Sequence, residues 1–133
     1  MPTPILNRNI TERDGLFVGD HFDVQVNLTA IPTGLTLIKA WWTVKLNLTD
    51  ADPGIIQKAI TTTPVAGVGQ ITDDGTTDRE GDLSFEWVPA DTNLFTADIA
   101  YWFDVQVQYS NLKVRTFARG RWTAGAAVTQ ATV

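Results

Sequence analysis

Phe-Asp-Val-Gln-Val occurs twice in this chain, at Phe22–Val26 and at Phe103–Val107. In the first copy Phe22, Val24, Val26 and Leu28 alternate with Asp23, Gln25 and Asn27. In the second, Phe103, Val105, Val107 and Tyr109 alternate with Asp104, Gln106 and Gln108. Successive side chains leave a strand on opposite sides, so this pattern fits a strand with one buried and one solvated face. A helix would need apolar residues every three or four positions. Both copies are expected to be core strands, one in each of two facing sheets.

The same period governs most of the chain. Leu37–Leu48 sets Ile38, Ala40, Trp42, Val44, Leu46 and Leu48 against Lys39, Trp41, Thr43, Lys45 and Asn47. Asp82–Val88 turns Leu83, Phe85 and Trp87 inward; Ile55–Thr61 reads as a weaker edge strand and Leu112–Thr123 as a long last one. Ile5-Leu6, Ile10 and Leu16-Phe17-Val18 predict a first strand broken at Asp14-Gly15. Turn chemistry separates these runs at Gly19-Asp20, Pro32-Thr33-Gly34, Asp50–Gly54 and Ser110-Asn111. Pro89–Asn93 predicts a helical turn, with Leu94 and Phe95 closing the end of the core.

Seven or eight such strands predict an all-β fold: a single immunoglobulin-like antiparallel sandwich, with a small β-barrel as the alternative. Trp42 stands where such sandwiches carry a core tryptophan, and Tyr101 where they carry a tyrosine corner. Residues 1–18 are expected to form an arm and first strand, 19–123 the sandwich, and 124–133 an Ala/Thr/Val tail. Met1–Ile10 and Ala124–Val133 are candidate arms for pairing with a neighbouring subunit's sheet edge.

Composition narrows the chemistry. There is no cysteine, which removes disulfides, thiolate metal sites and cysteine nucleophiles together. One histidine and two serines, Ser84 in a strand and Ser110 in a turn, give no support for a serine triad or a zinc site. No cofactor is expected, and the chain reads as a non-enzyme. The net charge of −5 disfavours nucleic acid as a partner. No apolar run reaches the roughly 20 residues a membrane span needs, and the first ten residues lack a secretory apolar core. Synthesis in a cytoplasm is the expectation. The loop from Asp73 to Asp82 is rich in carboxylates and raises calcium binding, although its spacing is not that of an EF-hand and a solvated loop is the simpler reading.

Trp41, Trp102 and Phe117 fall on the outward parity of the third, penultimate and last strands. Those strands are neighbours in one sheet of an immunoglobulin-like topology, so the three rings are expected on a single outer face. Arg115, Arg119 and Arg121 share that parity. Exposed aromatics with arginine are the composition of a protein interface, and these six residues are the candidate contact surface. A bulge would reverse the reading for any ring beyond it, because a one-residue slip exchanges the faces. Stacking of the tryptophans on sugar rings, with Gln106, Gln108 and Asn47 as hydrogen-bonding groups, makes a glycan the competing partner.

Gly19-Asp-His-Phe-Asp-Val-Gln-Val26, Ala40-Trp-Trp-Thr-Val-Lys45, Pro89-Ala-Asp-Thr92 and Tyr101-Trp-Phe-Asp-Val-Gln-Val107 resemble the small Ig-like β-sandwich modules of tailed-bacteriophage virion proteins. Those modules end near Thr-x-x-x-Gly, here Thr116-Phe-Ala-Arg-Gly120. The likeness runs from about Gly19 to Val128. It departs at Ser110-Asn-Leu112, where the family more often has a glycine. The resemblance implies a structural role in the virion, in the tail or baseplate region or as a capsid decoration. The implied partners are other virion proteins and copies of the chain itself. It implies no catalytic residue.

Overall fold

The computed structural model describes residues 6–29, 31–77 and 79–127, with backbone only for Leu6 and Asn7. Its strands are β1 (Leu6–Asn7), β2 (Phe22–Leu28), β3 (Leu37–Lys45), β4 (Ile56–Ile60), β5 (Gly69–Asp73), β6 (Gly81–Trp87), β7 (Ala100–Tyr109) and β8 (Val114–Thr123). A short α-helix, α1 (Pro89–Thr92), follows β6. Strands β8-β7-β3-β4 form one antiparallel sheet and β2-β6-β5 the other, while β1 adds to β8 in parallel. The described strands pack as a sandwich, not a closed barrel. With β3, β7 and β8 in one sheet and β2 and β6 in the other, the order is that of an immunoglobulin-like sandwich. The two Phe-Asp-Val-Gln-Val copies lie in β2 and β7, one per sheet.

Alternation dictates which atoms meet between the sheets. Phe22, Phe85 and Trp87 from one sheet, and Trp42, Phe103 and Trp122 from the other, are all buried. Trp42 stacks on Phe103 with centroids 4.8 Å apart and meets Phe85, Trp87 and Trp122 edge-on. Tyr101 is a tyrosine corner: its hydroxyl accepts a hydrogen bond from the Thr96 amide at 2.9 Å. Phe95 closes the end of the core, whereas Leu94 is exposed.

Two register shifts correct the parity reading. In β8, Thr116 pairs with Gln106 and Ala118 with Val105, so Phe117 is the extra residue of a bulge. It is buried, not outward. Beyond the bulge Arg115 moves to the inward register opposite Val107 and is half-buried. In β3 a shift between Leu37 and Lys39 leaves Ile38 36 % exposed. That strand also ends at Lys45, so Leu46 and Leu48 are exposed rather than inward.

The segment expected to be a free N-terminal arm is docked where it is described. Arg8 and Ile10 amides donate to the carbonyls of Arg119 and Arg121, and Ile10 is buried. Gly120 permits the approach: a Cβ there would lie 1.9 Å from the Arg8 carbonyl oxygen. The C-terminal part is likewise held as far as Gly125, whose amide donates to Leu16. Residues 1–5 and 128–133, the remainder of both expected arms, lie outside the described residues. The hairpin after β7 turns on a strained residue. Leu112 has φ 69°, a left-handed conformation that costs an L-residue about 1–2 kcal/mol.

One buried charge ties the sandwich end together. Lys58, opposite Trp42 on the inner face of β4, is 6 % exposed. Its ammonium donates to the Gly67 carbonyl and the Asp91 carboxylate and lies 5.2 Å from the Trp87 ring centroid. Asp91 also accepts from the Val88 amide, capping α1.

Gly120→Ala is expected to lower stability by about 1–3 kcal/mol through overpacking against Arg8. Hydrogen exchange should show the Arg8 and Ile10 amides losing protection first. Lys58→Met leaves Asp91 without its cation, and urea unfolding should report a loss of about 3 kcal/mol.

Candidate functional site

The outer face of the β8-β7-β3-β4 sheet is organised in cross-strand rows. Thr116, Gln106, Trp41 and Ala59 form one; Arg119, Asp104, Thr43 and Gln57 the next; Arg121, Trp102 and Lys45 the third. Trp41 and Trp102 therefore stand on the same face, as alternation requires, and both are half-buried. Each ring carries a cation. Lys39 Nζ lies 5.2 Å from the Trp41 ring centroid, and the Arg121 guanidinium carbon 4.0 Å from that of Trp102. Such contacts contribute about 0.5–1 kcal/mol each at exposed sites. Arg121 also donates to the Ala100 carbonyl at 2.6 Å, so its head group is fixed on the tryptophan.

Of the six residues expected on this face, the structure brings together Trp41, Trp102, Arg119 and Arg121. Phe117 and Arg115 leave it at the bulge. Asp104 and Lys45, which alternation also places on this face but outside the six expected contact residues, join it, with Leu48, which the end of β3 turns outward. These three border, with Trp102, Thr116 and Arg119, a hollow of about 260 Å³. Lys45 is held there by Asp52 at 2.9 Å.

Asp104 has a raised pKa. Burial is the main cause and the Asp52 charge adds to it; Lys45 and Arg119 oppose the shift without cancelling it. An acid whose folded pKa lies above its unfolded value costs stability when ionised. That cost is full at neutral pH, fades as pH falls through the folded value, and vanishes below the unfolded one.

The Asp73–Asp82 loop directs its carboxylates elsewhere. Asp73 accepts from the Gly75 amide, Asp74 from Thr76, and Asp82 from the Asn27 side chain. The Thr76 hydroxyl and amide hold the Asp74 carboxyl below its usual range. Among the described residues, these acids form no convergent ligand set of three.

No protein-family model matches the chain, and no curated protein sequence matches it.

Asp104→Asn is expected to stabilise the fold at pH 7 by less than about 1 kcal/mol, the shift being discounted for partial exposure. Urea titrations repeated at about pH 3 should show the gain gone.

Proposed function

We propose that this chain is a non-enzymatic structural protein of a bacteriophage virion, assembling through the outer face of its four-stranded sheet. The observation that carries the reading is the pair Trp41 and Trp102, half-buried on one face, each under a cation, with Trp102 bordering a charged hollow. Tryptophan and arginine are the residues most often dominant in protein interfaces. Held on paired strands, they lose little conformational freedom when a partner covers them. The likeness of the Gly19–Val26 and Tyr101–Val107 segments to tailed-phage modules supports the tail or baseplate region, with capsid decoration as the second placement. The partners would be neighbouring virion proteins and copies of this chain.

The test replaces both rings. Trp41→Ala with Trp102→Ala is expected to retain the circular dichroism of the folded chain and to be lost from assembled particles. Interface tryptophans contribute on the order of 2 kcal/mol each, a loss of roughly thirty-fold in affinity per ring. Incorporation at the wild-type level overturns the reading. So does quenching of the tryptophan fluorescence by soluble glycans that disappears in the double variant, which identifies a carbohydrate-binding face instead.

A further inference from the structure

On the opposite sheet, strand register brings Glu86 against two side chains that lie more than sixty positions earlier in the sequence. Asp23 of β2 pairs with Glu86 of β6, both on the outer face, and His21 precedes Asp23 by two residues on the same side. The His21 Nε2 atom is 3.4 Å from Glu86 Oε2 and 3.7 Å from Asp23 Oδ1. One ligand atom from each of the three lies within 4.8 Å of the other two.

We propose that His21, Asp23 and Glu86 form a Zn²⁺ site. Tetrahedral coordination with bonds of about 2.0–2.2 Å places neighbouring donors about 3.3–3.6 Å apart, close to the 3.4 and 3.7 Å found around His21 Nε2. The donor set, one imidazole and two carboxylates, selects a borderline cation; Ca²⁺ and Mg²⁺ prefer oxygen alone. Electrostatics point the same way. Two carboxylates directly opposite on adjacent strands repel. Among the described residues, the ion-pair partner of both is His21 alone. A divalent cation between them converts that repulsion into a clamp across β2 and β6.

The ligands are held in place by their surroundings. Glu86 Oε1 accepts the Gly67 amide, leaving Oε2 toward His21, and the Glu86 amide donates to Val68 at 3.0 Å. The corner before His21 is pinned by buried Thr92, whose hydroxyl accepts the Gly19 amide at 3.0 Å and donates to the Asp20 carbonyl at 2.8 Å. Asp23 and Glu86 also border an open hollow of about 700 Å³ beside the 64–69 loop, so a fourth ligand, water or a small anion, can reach the metal. Sixty-five positions separate His21 from Glu86, which is why the sequence alone gives no zinc signature.

Calorimetric titration of the untagged chain with ZnCl₂ in buffer containing excess Mg²⁺ is expected to show one site per chain. The single imidazole should shift in step by NMR. His21→Ala and Glu86→Gln, both changes of exposed or half-exposed side chains, should weaken binding by at least about 100-fold and leave the metal-free melting temperature unchanged. Asp74→Asn, in the remote acidic loop, should bind as the wild type does. Equal Zn²⁺ binding by the wild type and His21→Ala overturns the proposal, as does the absence of binding by the wild type.

Discussion

The fold depends on one contact, the stacking of Trp42 on Phe103 within a ring cluster drawn from both sheets. Phe85 and Trp87 approach from the facing sheet, and Trp122 joins them from β8 of the same sheet. A chain with no cysteine has no inter-sheet disulfide, and the cluster holds the sheets where such a bond otherwise would. Burying an aromatic ring removes 150–250 Å² from water, or about 4–6 kcal/mol at 25 cal/mol/Å². The cluster has its own cost. Among the described residues, no hydrogen-bond acceptor meets the buried indole N–H groups of Trp42, Trp87 and Trp122. At about 1–3 kcal/mol each that is smaller than the burial term, so the balance favours packing. Edge-on ring contacts recover part of it.

Much of this was legible in the residues. Period two located both Phe-Asp-Val-Gln-Val strands; turn residues located the breaks; Trp42 and Tyr101 pointed to the topology. What stayed hidden depends on events that periodicity does not encode. The bulge at Phe117 inserts one residue, so every side chain on its N-terminal side exchanges faces, and Arg115 goes with it. The burial of Lys58 makes sense only when Asp91 and the Gly67 carbonyl arrive from other parts of the chain. The docking of residues 8–10 on β8 turns on the missing side chain of Gly120. Of the expected contact face, the strand residues Trp41, Trp102, Arg119 and Arg121 were readable because alternation holds on their side of the bulge. The hollow beside them was not, since it requires knowing that β3 stops at Lys45.

The two outer faces differ in chemistry because the strands behind them differ. The four-stranded sheet presents cation-covered tryptophans and a half-buried aspartate, a surface suited to being covered. The three-stranded sheet presents His21, Asp23 and Glu86 beside an open hollow, a surface suited to a small ion. Both rest on the same interior. A rigid aromatic core lets each face carry groups that add little to folding, Asp104 with its desolvation cost among them.

The central claim is a partition of the five tryptophans, with three inside the sandwich and two on one outer face. Oxidative footprinting of the native chain, read residue by residue by mass spectrometry, tests it most directly. Trp41 and Trp102 should be modified at native conditions, while Trp42, Trp87 and Trp122 should react only as the protein unfolds. Native modification of Trp42 at the rate of Trp41, or protection of Trp102 equal to that of Trp122, would contradict the account.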